Sequence, residues 1–282
     1  MDHRTICGAR PDSALRISYS DKSSTSVRWP AGGYLWLTFF THPANKGQEI
    51  MSHYNDRAFV SRILIPAIAA DWKLGQPDLS ERFSGGLARF ETGDVSGLHL
   101  IEGALGELPE SISSGQIRQQ YPEAYGEGIR AFPALLADIQ RKFSIRSRAL
   151  HHIGEVKRVA LATEILNSSQ GREGEERAGA DAMKAVGVLL SESHASLRDL
   201  YEVSTDEVEE VIAIVEGSGL ACGARLMGGG FGGNVLALAR EADSGRLIDL
   251  VQQEYYGPRS RNGLDEGSVM VSTPGMGASE IA

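Results

Sequence analysis

At 282 residues the chain can bury a sizeable core in one large or two ordinary domains. Its composition, 41% apolar and 23% charged, is that of a globular protein, and a net charge of −9 leaves no basic stripe to replace the counterions of a nucleic acid. Two cysteines, Cys7 and Cys222, are too few for a disulfide framework, and no apolar run or leader pattern suggests a membrane, so the expectation is a soluble cytoplasmic protein with no nucleic-acid or membrane partner.

Residues 1–8 form a short polar-apolar lead-in, Pro11-Asp12 a turn, and Ala14 to Tyr19 an alternating strand. Thr25 to Trp29 and a turn through Pro30–Gly33 lead to Tyr34–Phe40, where Leu35, Trp36, Leu37, Phe39 and Phe40 predict a strand buried on both faces. The serine clusters Ser23–Ser26 and Ser111–Ser114 read as turns. A helix follows from Asp56 to Trp72, its apolar side formed by Phe59, Ile63, Ile65 and Ile68, with a kink expected at Pro66. Beyond Gly75-Gln76-Pro77 the pattern weakens, with short helices near Val95–Leu105 and Ser114–Tyr121 and a helix or turn over Pro133–Phe143. It sharpens again in an amphipathic helix over Ile153–Leu166, a charged exposed linker over Gln170–Arg177, and a helix over Asp181–Arg198 with Met183, Val186, Leu189, Leu190 and Leu197 on one face. Ser204 to Glu207 reads as a capping box ahead of Val208, Val211, Ile212 and Val215, and Gly217 and Gly219 close that helix. A strand, a glycine loop, a second strand, a helix near Gly245–Tyr255 and a last strand over Ser268–Ser272 complete the order.

The glycine loop organises the rest. Gly228-Gly229-Gly230-Phe231-Gly232-Gly233 holds five glycines in six residues, too many for a helix interior or a plain strand. Its spacing is neither the dinucleotide-binding fingerprint nor the P-loop. Two readings stand on the residues alone: bare N–H groups turned towards an anion, or a tight hairpin turn with glycine bulges. Elsewhere, His151 and His152 point to different helix faces and read as a packed or capping pair rather than metal ligands. Ser193 and His194 have no acid at triad geometry and read as packing groups. Taken alone, Asp2 is a solvated carboxylate, Tyr54 an amphipathic aromatic at a helix start, and Arg57 a solvated helix residue.

The stretch Gly223 to Asn234, with Ser191-Glu192-Ser193-His194-Ala195-Ser196-Leu197-Arg198-Asp199-Leu200-Tyr201-Glu202-Val203-Ser204 upstream, resembles two motifs of the GHMP small-molecule kinases in their galactokinase form. Arg146 to Leu166 is similar to the helix between those motifs and the middle of the chain, and Thr273 to Ala278 to the family's C-terminal end, which looks complete. Met1-Asp2-His3, Cys7-Gly8 and Leu15–Ile17 match the order around the family's catalytic aspartate, with His3 in place of a glutamine. Leu200 for a second aspartate and Asn234 for a cysteine are further departures, which leave the sugar open.

The resemblance implies an α/β (α+β) fold, a two-layer GHMP-kinase-like sandwich. An incomplete N-terminal domain over 1–145 would precede a C-terminal ferredoxin-like split β-α-β domain over 146–282, and the missing strands would leave a sheet edge exposed. It also implies ATP-dependent phosphorylation of the anomeric hydroxyl of a monosaccharide, galactose foremost, with Mg²⁺. Asp2 would orient or deprotonate that hydroxyl, Tyr54 would contact the sugar, and Gly228, Gly229, Gly230, Gly232 and Gly233 would wall the nucleotide side of the site. The family's first sugar-binding motif and its serine-rich phosphate loop have no counterpart in the 282 residues. A misplaced start or a surviving fragment is therefore expected, with very weak or no kinase activity. The alternatives are a non-catalytic sugar-sensing or protein-interaction domain, or an arabinokinase-like sugar kinase.

Overall fold

Four strands far apart in the chain come together in one antiparallel sheet. The structure, a computed structural model, describes residues 2–18, 22–30, 33–44, 47–71, 103, 105–106, 108–169, 175–259 and 268–276. The chain divides into two units, one of Met1–Ala44, Arg158–Arg198 and Glu202–Ala282, the other of Asn45–Lys157 with Asp199–Tyr201.

In the first unit, β3 (Tyr34–His42), β6 (Ala221–Met227), β7 (Gly233–Arg240) and β8 (Val269–Ser272) take the order β6-β7-β3-β8. With α9 (Asp206–Gly217) entering β6 and α10 (Glu241–Val251) following β7, this is a split β-α-β-β-α-β arrangement. Leu37 and Phe39 of β3 and Val235, Ala237 and Leu238 of β7 are fully buried. β3 is a central strand, but not one buried on both faces as expected: Leu35, Leu37 and Phe39 are buried, while Trp36 and Thr38 on the other face are only partly buried and Phe40 is exposed. α9 packs on β6, β7 and β3 through Val208, Val211, Ile212 and Val215. Each such side chain contributes about 1.5–3 kcal/mol by leaving water. The Tyr256 hydroxyl lies 2.7 Å from the Phe40 carbonyl and 2.9 Å from that of Ser268, tying β3 to the start of β8. At the free edge, Met270 and Val271 of β8 are exposed.

The same unit holds α1 (Asp2–Gly8) and, after Asp12 at φ 52°, the hairpin of β1 (Ser13–Ile17) with β2 (Ser24–Arg28), with Lys22 at φ 59° in the connection between the strands. The lead-in is thus helical rather than irregular. The Ser23–Ser26 cluster is strand, not turn, because β1 supplies a ladder for it. Val27, Trp29 and Tyr34 pack with Leu166, Met183 and Val186, residues of two long helices, α7 (Arg146–Ser168) and α8 (Glu175–Asp199).

The second unit is mainly helical. α2 (Gln48–Phe59) runs through a wider π turn, Val60–Leu64, into α3 (Ile65–Asp71). The irregularity expected from Pro66 is taken up one turn earlier, where the Ile65 N–H reaches back to the Val60 carbonyl. Ser111–Ser114 is not a turn: β4 (Ser111–Ser113) pairs with β5 (Lys142–Ser144), and Ser113 caps α4 (Ser114–Gln120). Its hydroxyl accepts from the Gln116 N–H at 3.2 Å, and the Gln116 side-chain Oε1 accepts from the Ser113 N–H at 2.8 Å. α5 (Pro122–Ala131) and α6 (Pro133–Leu136) complete a core in which Phe59 meets Phe143 edge-on at 5.1 Å. Most of the expected helix near Val95–Leu105, the end of the 56–72 helix at Trp72, and most of the 170–177 linker lie outside the described residues.

Candidate functional site

The glycine loop is the turn between β6 and β7, entered from Met227 and left at its partner Asn234. It runs through the left-handed region: Gly228 at φ 92°, Gly230 at 84°, Phe231 at 60°, Gly232 at 113° and Gly233 at 96°. Side chains rarely adopt such angles, so the glycine content is a backbone requirement. Phe231 is the exception, and its N–H donates to the Val203 carbonyl at 2.7 Å. Gly230 sits flush on that same residue, since a Cβ there would lie 2.5 Å from the Val203 oxygen. Gly232 faces the His42 ring, with a Cβ placed 2.5 Å from Cε1, and the Thr41 hydroxyl donates to the Gly233 carbonyl at 2.9 Å. At Gly228 and Gly229 nothing lies within 4 Å of where a Cβ would stand. One side of the loop is clamped by protein, and the other is bare, exposed backbone.

His42 carries the clamp. Its Nδ1 lies 2.9 Å from the Pro43 carbonyl, which can only accept, so Nδ1 holds the proton. Its Nε2 lies 3.0 Å from the Thr205 hydroxyl and 3.3 Å from Glu207 Oε2. The capping box expected over Ser204–Glu207 is therefore not formed. Thr205 is the N-cap of α9 but makes no side-chain cap bond; its hydroxyl faces His42 instead. A hydrogen bond from its own backbone N–H holds the Glu207 carboxyl below the usual range.

Behind the loop, α8 touches β6 backbone to backbone. A Cβ on Gly187 would overlap the Cys222 carbonyl, and one on Gly223 would lie 2.9 Å from Gly187 Cα. About two turns along α8, buried His194 accepts the Leu226 N–H at Nδ1, 3.3 Å away, on the strand that ends the sheet among the described residues. Its Nε2 stands 3.0 Å from Glu209 Oε1, off the line of a hydrogen bond. Burial pushes the imidazole down from its ordinary value of 6.5 against the opposing pull of Glu209. His194 is thus a packing and edge-covering group.

Asp2 opens α1, in the same unit as the glycine loop. Tyr54 lies in the other unit, on α2, with 51% of its surface exposed. Arg57, one turn further on, is not a solvated helix residue: it is 4% exposed and donates to the carbonyls of Tyr201 at 2.8 Å and His53 at 2.7 Å. Arg148 donates to the Leu200 carbonyl, both guanidiniums lie 5.8 Å from the centre of the Tyr201 ring, and His151 stacks on that ring at 4.3 Å. Asp56 pairs with Arg141 at 3.6 Å, while burial raises its carboxyl above the ordinary 3.8 despite the neighbouring cations. The arginines and His151 bind the Asp199–Tyr201 segment into this unit. The contacts of His42, Val203 and Thr205 with the loop escape sequence reading because their partners are distant in the chain, and the motif around Val203 and the capping pattern around Thr205 do not point to them.

A strand–glycine turn–strand backed by two helices defines a class. Residues 179–257 match the family described as GHMP kinases C terminal. Among its relatives, the galactokinase of Thermotoga maritima is 35% identical over 122 residues, 43% of this chain and 31% of that protein. The galactokinase of Bos taurus is 36% identical over 110 residues, 39% of this chain and 25% of that protein. A crystal structure of Lactococcus lactis galactokinase complexed with galactose shares the fold, with a TM-score of 0.59 at 20% identity over 99% of this chain and 55% of that one. The chain is therefore similar to the C-terminal portion of galactokinase-like GHMP kinases. It spans between a quarter and a third of the length of these two curated relatives.

Proposed function

We propose that the chain serves ATP-dependent phosphorylation of the anomeric hydroxyl of a monosaccharide, with galactose the first substrate to test. The observation that carries this reading is the glycine loop, clamped on one side and bare on the other, inside the GHMP kinase stretch. Gly228 and Gly229 fit a nucleotide: their backbone is exposed and leaves room for an anion against the N–H groups. ATP, when bound, supplies the phosphoryl group. The loop's part is to present N–H donors at fixed angles to the charge on that group. Asp2 would accept the proton of the attacking sugar hydroxyl, and Tyr54 would hold the sugar from α2. Among the described residues no three His, Cys, Asp or Glu side chains converge, so no donor set is assigned to Mg²⁺. No helix among them is long and apolar enough to cross a membrane.

The 282 residues contain no G-x-x-S-S-S-type phosphate loop, so the chain assayed alone should turn over slowly or not at all while still binding nucleotide. Isothermal titration with Mg·ATP, with and without galactose, tests this. Micromolar nucleotide binding supports the reading, and a sugar panel with Asp2→Asn as the control then locates the acceptor. Heat with a sugar but none with Mg·ATP refutes it in favour of a sugar-sensing domain.

A further inference from the structure

We infer that His42 is a positioning residue for the glycine loop, held in place by Thr205; this rests on the reading that the loop serves a nucleotide. The ring stands where a side chain on Gly232 would be, 2.5 Å from its Cβ position at Cε1 and 2.8 Å at Nδ1. It is therefore the wall against which Gly232 reaches φ 113°. Three things fix the ring. Its backbone belongs to β3 at the point where the register with β7 shifts, opposite Gly233. Its Nδ1–H is spent on the Pro43 carbonyl at 2.9 Å. Its Nε2 then accepts from the Thr205 hydroxyl at 3.0 Å, a bond that Thr205 makes in place of capping α9.

A helix N-cap that gives up its own cap bond forgoes local stability, and here the hydroxyl points at the ring that backs the loop instead. Glu207 Oε2 stands beside the same nitrogen at 3.3 Å. Glu210, Arg259 and Tyr255 are the other charged and titratable groups on this side. Arg259 pairs with Glu210, and the Tyr255 hydroxyl lies 3.3 Å from the Thr41 carbonyl next to His42. The chain of contacts runs α9 to ring to Gly232, and the loop's exposed N–H groups lie just beyond it.

The test is amide hydrogen exchange, resolved by NMR on the 282-residue chain. His42→Ala should lower protection at Gly230–Gly233 by about tenfold, and Thr205→Val by about two- to tenfold, the worth of one hydrogen bond. In a His42→Ala background, Thr205→Val should have no further effect, because its influence passes through the ring. A merely structural histidine would spread the loss evenly along β3, β6 and β7. That outcome, protection at Gly230–Gly233 unchanged within about twofold in His42→Ala, or an equal effect of Thr205→Val in both backgrounds would overturn the inference. Should His42→Ala not fold, His42→Phe keeps the wall and removes both nitrogens, and must still loosen the loop alone.

Mg·ATP titration separates the two readings. If the loop grips nucleotide, the dissociation constant should rise in His42→Ala in inverse proportion to the fraction of loop left in the competent form. A wild-type chain that ignores Mg·ATP defeats the nucleotide reading, and the exchange data still decide the role of His42.

Discussion

Replacing Gly187 by alanine tests the contact on which the glycine hairpin is mounted. A Cβ at that position would overlap the Cys222 carbonyl and lie 2.6 Å from Cys222 Cβ, where 3.4 Å is ordinary contact. α8 must therefore move away from β6 by about 0.8 Å or more, and the obstacle is backbone, which has no rotamer to turn aside. Overpacking of this kind costs about 1–3 kcal/mol, more when nothing can yield. Alanine returns about 1 kcal/mol through helix propensity. The net expectation is a loss of about 2 kcal/mol, read as a fall in melting temperature of about 4–8 °C. The displacement also stretches the bond from the Leu226 N–H to His194, so the Leu226 amide resonance should shift. Gly245→Ala in α10 is the control. Nothing lies within 4 Å of its Cβ position, and it should stabilise by about 0.5–1 kcal/mol. If Gly187→Ala unfolds within about 0.5 kcal/mol of wild type while the control behaves as expected, the close approach of α8 and β6 is refuted.

Other consequences are as direct. His194 has a depressed folded-state pKa because burial disfavours its charged form, so its stabilising contribution is whole above 6.5 and drains away as pH falls below that towards the folded value. Urea unfolding followed from pH 8 to 5 should show that decline, and His194→Gln should flatten it. Arg57→Lys replaces a fork by a single point and cannot serve the Tyr201 and His53 carbonyls with the same geometry. A loss of about 1.5–3 kcal/mol in chemical unfolding is expected, and an unchanged midpoint would contradict the buried role given to Arg57. Gly230→Ala forces a side chain to φ 84° and into the Val203 carbonyl. Mg·ATP titration should show binding weakened about tenfold or more, equivalent to about 1.4 kcal/mol, whereas wild-type affinity would remove the loop from the nucleotide site.

Much of the fold is legible in the chain because helices and strands announce themselves by local period. Val208, Val211, Ile212 and Val215 recur at helical spacing, and α9 follows. Tyr34–Phe40 is nearly all apolar, and β3 is a strand. Five glycines in six residues demand a turn through positive φ, and the loop has one. The capping box fails for a reason the sequence does not contain: the Thr205 hydroxyl has a competing partner 163 residues away, in His42. Arg57 misleads in the same way, since a charge on a polar helix turn reads as solvated until the Tyr201 carbonyl, 144 residues on, is placed beside it.

By itself, then, the sequence determined the strongly periodic helices and strands, the glycine turn and the resemblance of its motifs, because backbone sterics, periodicity and motif spacing act over a few residues; the serine clusters became strands only through their partners. Only the tertiary structure decided that β3 lies between β7 and β8, that Gly187 meets Gly223, and that His42 backs Gly232. Those are contacts between residues separated by long stretches of chain, and they are selected by burial, steric fit and hydrogen-bond satisfaction in the folded state rather than by any local preference.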